Sequence, residues 1–208
     1  MGALCFILVI KLDKANEATW RVVPANTPLI VRHCSKCNKK MEFYCSEKFR
    51  VNANQVRVDI WLIYKCRKCD STWKLTINKG IKPRELQAGL FDRFVNNDSD
   101  LAWDYAFDRY LLKQNACVVC YDNVEYAVEG PPSRATEEPF EKSLLVHLKS
   151  QYFFDLKLSA LLAKALGVSI GQVKRLVEHE SITVYPKIDI MKYRIKNDVD
   201  IILCDIFC

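Results

Sequence analysis

Glycine is scarce in this chain, with six in 208 residues, and none of them falls into a glycine-rich, phosphate-cradling loop. Histidine is scarcer still. His33, His147 and His179 fit no catalytic triad readable from the sequence. The H-x-E signature of zinc deaminases is missing too, because His179-Glu180-Ser181 has the wrong spacing and no cysteine pair after it. These absences argue against an enzyme, and no small-molecule substrate is expected. Long apolar runs are lacking as well. Ala3 to Ile10 is an apolar run of eight, whereas a membrane span needs about 20. A signal peptide needs a cationic start and a small-residue cleavage site, and this run has neither. It reads as a buried β-strand of a cytoplasmic protein without membrane association, with export as the alternative.

Cysteine, by contrast, is plentiful, with ten. Four of them form two Cys-x-x-Cys pairs, Cys34/Cys37 and Cys66/Cys69, with 28 residues between the pairs. A two-residue gap lets both sulfurs of a pair reach one ion, and a hairpin between the pairs brings the halves together. Four thiolates at about 2.3 Å from one Zn²⁺ make a closed tetrahedral site, which is structural because no position is left for water or substrate. The remaining cysteines are scattered, so the pattern reads as zinc binding in a reducing compartment rather than as a disulfide framework. His33 is a neighbour of the site rather than a ligand. A third pair, Cys117/Cys120, has no partner pair and does not open a helix after a strand as a thioredoxin-type motif would.

Charge is unevenly placed. Residues 1–80 carry 15 Lys/Arg against 6 Asp/Glu, or +9; residues 81–140 carry 6 against 11, or −5; residues 141–208 carry 10 against 8, or +2. A basic N-terminal part suits an acidic partner, with nucleic acid the first candidate, unless its cations only solvate a small sheet.

The periodicities predict an α+β protein. Val56, Val58, Ile60, Leu62 and Tyr64 alternate with Arg57, Asp59, Trp61, Ile63 and Lys65, and Trp73, Leu75 and Ile77 with Lys74, Thr76 and Asn78, giving two strands; a shorter one covers Met41 to Cys45. With the cysteine pairs these make a zinc-ribbon-like antiparallel β module over 1–80, with so little core that metal binding supplies much of its folding free energy. A helical middle packed on it covers 81–130. One helix starts near Pro83 with Leu86, Leu90, Phe91 and Phe94. Ser99 caps a second, with the stripe Ala102, Trp103, Ala106, Tyr110 and Leu111. Cys117 to Val128 reads as extended, and the turn-rich stretch 131–139 as a linker. In 140–208, Leu158, Leu161, Leu162, Ala165 and Leu166 mark a helix ended by Gly167. Ser169 and Gln172 form a capping box opening another, whose buried face is Ile170, Val173, Leu176 and Val177. Ile182/Val184, Ile188/Ile190 and Val199/Ile201/Leu203 then follow strand period.

Two resemblances rest on these residues. The stretch from Trp20-Arg21-Val22 through Phe43-Tyr44-Cys45 and Lys48-Phe49-Arg50-Val51-Asn52 to Asp59-Ile60-Trp61-Leu62-Ile63-Tyr64 resembles a bacterial family of uncharacterised proteins, domain of unknown function 1062. That family brings no biochemistry with it. The stretch from Leu156-Lys157-Leu158 through Lys174-Arg175-Leu176 to Ile182-Thr183-Val184 is similar to the alpha-L RNA-binding motif of a small-subunit ribosomal protein and of pseudouridine synthases. That likeness implies an alpha-L-like C-terminal domain in which Lys157, Lys174 and Arg175 meet RNA phosphates and Ser169 caps the second helix. The sequence departs from the motif at Ile170, Glu180 and Tyr185-Pro186, and Glu178 adds negative charge beside the surface. The resulting expectation is a non-enzymatic, zinc-containing protein that binds nucleic acid, structured RNA over DNA, with duplex-DNA binding by a helix-turn-helix as a variant. The alternative is a protein-interaction adaptor, in which the acidic middle docks on the chain's own ribbon. Phe43, Tyr44, Trp61 and Trp73 stand among the ribbon's cations, where aromatics can stack bases, although most of them alternate inward as packing.

Overall fold

The structure, a computed structural model, describes residues 17–53, 56–130, 143–196 and 198–204. Strands β1 Glu17–Pro24, β2 Leu29–Cys34, β3 Lys39–Ala53, β4 Val58–Cys66 and β5 Thr72–Ile81 come first. Helices α1 Leu90–Val95, α2 Ser99–Phe107 and α3 Arg109–Gln114 follow, then β6 Val118–Cys120, β7 Tyr126–Glu129 and β8 Leu144–Ser150. Helices α4 Leu158–Leu166 and α5 Ile170–Glu178 precede β9 Ile182–Tyr185 and β10 Val199–Leu203. The fold is α+β, as expected. The proposed first strand, 3–10, and the linker, 131–139, lie outside the described residues.

Two compact units divide these elements. One holds Pro24–Tyr126 with Tyr152–Asp155; the other holds the described residues up to Val23, those of Ala127–Gln151 and those from Leu156 on. The division differs from modules at 1–80, 81–130 and 140–208. Strand β1 pairs in parallel with β8, Glu17 facing Leu145 and Val22 facing Ser150, so it belongs to the sheet of the C-terminal residues. Strands β6 and β7 likewise part company, each joining a different sheet.

The Pro24–Tyr126 unit carries the sheet ordered β5-β4-β3-β2-β6, antiparallel throughout its paired strands. Strict alternation in β4 buries Val58, Ile60, Leu62, Tyr64 and Cys66. Ala102, Ala106, Leu111 and Leu112 of α2 and α3 close over this face together with Ile30, Phe43 and Leu75, while Phe94 of α1 joins Val58 and Ile60. The expected three-stranded sheet with little core is therefore five strands with a helix-covered core. Strand β3 outruns its Met41–Cys45 forecast because an irregularity between Cys45 and Lys48 lets it continue, with Phe49 and Val51 facing Leu62 and Ile60.

The helices of this unit also depart from forecast. Pro83–Glu85 forms only a 3₁₀ turn, and α1 begins at Leu90. Asp98, rather than Ser99, caps α2 by accepting from the Leu101 N–H at 2.9 Å. The long apolar stripe is broken at Asp108, whose carboxylate accepts from the Tyr110 and Leu111 N–H groups and starts α3. That turn swings Tyr110 outward, where it is 72% exposed.

In the other unit the sheet runs β7-β1-β8-β10-β9. Its buried residues include Trp20 and Val22 of β1, Val146 and Leu148 of β8, and Val199, Ile201 and Leu203 of β10. Leu158, Leu161, Leu162 and Leu166 of α4 are buried as forecast. Gly167 takes the left-handed conformation at the C-cap (φ 67°), which a residue with a Cβ resists. In α5 only Val173 is fully buried, and Ile170 is half exposed. Ile188 and Ile190 form no strand; they lie in the connection from β9 to β10, which pair as antiparallel neighbours.

Candidate functional site

The antiparallel sheet brings the cysteines together. Cys34 ends β2 and Cys37 sits in the turn to β3; Cys66 ends β4 and Cys69 sits in the turn to β5. Because the long β3–β4 hairpin runs between them, both turns emerge at one end of the sheet. The two turns share a conformation. Asn38 and Asp70, each one residue after the second cysteine of its pair, adopt positive φ (53° and 54°), which Asn and Asp tolerate better than most residues. Tyr44 Oη donates to Asp70 Oδ1 at 3.1 Å, tying the second turn to β3.

All four sulfurs lie within 4.8 Å of one another and can hold a metal ion. Cys34 Sγ and Cys69 Sγ are 3.6 Å apart, Cys37 Sγ and Cys66 Sγ 3.9 Å. Sulfurs at about 2.3 Å around a tetrahedral ion stand about 3.8 Å apart, so the set fits such an ion closely. These separations also exclude disulfides, whose sulfurs are bonded at about 2.05 Å. Cys34 and Cys66 are buried and Cys37 and Cys69 half-buried. His33 is exposed and takes no part in the cluster.

One functional residue was missed in the sequence. Ser71 Oγ lies 3.1 Å from both Cys34 Sγ and Cys69 Sγ, so its hydroxyl can donate to thiolate. Its position two residues past the last cysteine was the available signal. The Ser71 hydrogen bond, opposed by burial and helped by the Cys37 N–H, holds the Cys34 thiol down to about 6. Ser71 also lowers Cys69. Cys37, beside Cys69 and desolvated, is pushed up to about 12. The cluster thus keeps negative charge at Cys34 and a proton at Cys37. Outer-shell partners of this kind are worth about 10–100-fold in metal affinity, so Ser71→Ala should lower affinity by that range in a chelator competition while leaving the circular dichroism unchanged. Unaltered affinity would reduce Ser71 to packing.

Cys117 and Cys120 lie at and beside the edge strand β6. Burial pushes the Cys117 thiol up to about 11, against the pull of Arg32, the reverse of the depressed thiol that redox chemistry uses.

The residues proposed to meet RNA are all exposed. Lys157 stands at the N-cap position of α4 without a side-chain cap bond. Ser169 caps α5: its Oγ accepts from the Gln172 N–H at 3.2 Å, and Gln172 Oε1 accepts from the Ser169 N–H at 2.8 Å. Lys174 and Arg175 lie along α5, Lys174 3.7 Å from Glu178. Sequence reasoning overlooked the β9–β10 connection, which adds Lys187, Lys192, Arg194 and Lys196. Arg194 bridges the Lys157 backbone, bringing this basic stretch to the start of α4. Lys192 pairs with Asp189 at 3.5 Å.

No helix among the described residues is long and apolar enough to cross a membrane. A family model described as protein of unknown function (DUF1062) matches residues 51–187. No curated protein and no solved structure matches the chain.

Proposed function

Since the chain belongs to the DUF1062 family, which prescribes no activity, we propose from its own geometry that it is a non-enzymatic zinc protein binding nucleic acid, structured RNA in preference to DNA. The observation that carries this reading is the basic helix pair. Exposed Lys157 opens α4, exposed Lys174 and Arg175 lie along an α5 whose cap is fully formed, and the β9–β10 connection brings Arg194 beside Lys157. Such cations act on phosphate, so binding should fall steeply with salt.

Four thiolates in tetrahedral spacing suit zinc or iron. Zinc is the reading here, held by Cys34, Cys37, Cys66 and Cys69 as a structural clamp with Ser71 behind it. Metal analysis should return zinc at one equivalent in a colourless protein; a visible thiolate-to-iron band would assign iron.

The adaptor alternative loses ground on one point. Among the described residues none of Lys39, Lys40, Arg50 and Lys68 is in an ion pair, whereas acidic groups of the middle segment serve their own helices: Asp98 and Asp108 cap α2 and α3. Binding of a labelled RNA hairpin at about 50 and 200 mM salt is the test. Lys174→Glu with Arg175→Glu should weaken it and reduce the salt slope by roughly one per cation removed. No binding by the wild-type chain at the lower salt would favour the adaptor.

A further inference from the structure

The sheet of the Pro24–Tyr126 unit has two unlike faces. Helices α1, α2 and α3 all pack on the face of Ile60, Leu62 and Leu75. On the opposite face the register sets side chains in rows across three strands. Arg50, Trp61 and Thr76 form one row; Lys48, Ile63 and Lys74 the next; Tyr44, Lys65 and Thr72 a third. We infer that this second face is a platform for single-stranded nucleic acid, on which a base stacks against Trp61 while Lys48, Arg50, Lys65 and Lys74 meet the neighbouring phosphates. The inference rests on the nucleic-acid reading above but not on the helix pair, which lies in the other unit.

Three observations support it. The first is which aromatics point where. Phe43 is buried in the core, and Trp73 packs there beside Tyr64 at 5.7 Å. Trp61 and Tyr44 alternate to the other face, among the cations. The second is the state of the indole. Lys74 Nζ lies over the Trp61 ring, 5.0 Å from its centroid, so the ring presents a π-face to that side of the sheet. A base can take the ammonium's place, leaving Lys74 for the adjoining phosphate. Stacking of this kind is tolerant of sequence because every base has a π-face, and in a duplex those faces are already used.

The third observation is charge. Lys40, Lys48, Arg50, Lys65 and Lys74 project from this face, and none is in an ion pair among the described residues. Carboxylates at this face are occupied: Glu42 with Arg67 at 2.8 Å, Asp59 with the Gly80 N–H, which it accepts at 2.6 Å, and Asp70 with Tyr44 Oη, from which it accepts at 3.1 Å. Successive rows stand two residues apart along the strand, about 6.8 Å, a step close to the span of one extended nucleotide.

The test uses the full chain, with fluorescently labelled oligo-U, oligo-dT and an RNA hairpin as ligands and polyglutamate as competitor. The wild-type chain should bind the single strands at low salt, with a slope of about −0.7 per phosphate contact, and polyglutamate should compete poorly. Trp61→Ala should weaken single-strand binding about 5- to 150-fold, and Trp61→Phe should restore most of it; neither should alter hairpin binding. Lys174→Glu with Arg175→Glu should leave the single strands bound. Should Trp61→Ala fail to fold, Lys48→Glu with Arg50→Glu, both at exposed positions, must lower oligo-U affinity. The platform is overturned if the wild-type chain does not bind oligo-U at low salt, if a folded Trp61→Ala or the Lys48/Arg50 pair binds it as tightly as wild type, or if polyglutamate displaces it equally well. Trp61-dependent oligo-U binding without hairpin binding would keep the platform and remove the helix-pair reading. Hairpin binding indifferent to Trp61, without oligo-U binding, would do the reverse.

Discussion

A Cys66→Ser chain should come out without bound metal and with two loosened turns, yet with most of its sheet intact. Three short strands without a covered face would unfold on losing their ion, because apparent zinc-binding energies of about 10–16 kcal/mol are folding energy in such small modules. Here β4 lies between β3 and β5, and Ile60, Leu62 and Tyr64 are wholly buried beneath α1–α3. Burying Ile60 and Leu62 contributes roughly 1.5–3 kcal/mol each, so the sheet has support that does not pass through the metal. Elemental analysis should find less than a tenth of the wild-type metal, and the melting temperature should drop sharply. Hydrogen exchange should accelerate at residues 34–39 and 66–72 while the Leu62 and Tyr64 amides stay protected. Loss of protection at those two amides would mean that the metal holds the whole unit; retention of metal would mean that Cys66 is not a ligand.

The second large effect is on pH. Metal binding requires deprotonated thiols, and the cysteines start from opposite states. Cys34, held down to about 6, is already ionised at neutral pH and surrenders no proton to the incoming ion. Cys37, pushed up to about 12, must lose one. For Cys34 the depressed value means that its favourable contribution is present at neutral and higher pH and is lost as pH falls through about 6. For Cys37 the raised value means that affinity gains from it as pH rises all the way towards 12. The logarithm of metal affinity should therefore climb with a slope of at least one but below four per pH unit between pH 6 and 9, and more steeply below 6. Chelator competition across that range measures it. A slope of four throughout would show that no thiol is ionised in the metal-free cluster.

The cysteine cluster was readable because spacing alone dictates it. Two residues between sulfurs and a hairpin between pairs leave few other arrangements, and Cys34, Cys37, Cys66 and Cys69 meet as expected. Capping chemistry was equally local: Gly167 and the Ser169/Gln172 box sit where their types require. What escaped was non-local. Nothing near Trp20 announces that β1 pairs with a strand more than a hundred residues later, since a buried alternating strand looks the same whichever sheet receives it. Asp98 and Asp108 outcompeted Ser99 and the apolar stripe because a carboxylate reaches two backbone donors in one turn, which periodicity does not weigh. Ser71 was invisible for a related reason: a hydroxyl near a cysteine becomes informative only when the fold sets two sulfurs beside it.

The parallel pairing of β1 with β8 has a consequence for how the protein is made. Glu17 leaves the ribosome long before Leu145, its partner across the sheet. At ordinary rates of translation that interval is on the order of ten seconds. The whole Pro24–Tyr126 stretch of the other unit is synthesised within it and can close its own antiparallel hairpins first. Until its other neighbour β7 is made, strand β1 spends most of that time with its alternating Trp20 and Val22 unmatched, open to a nascent-chain chaperone.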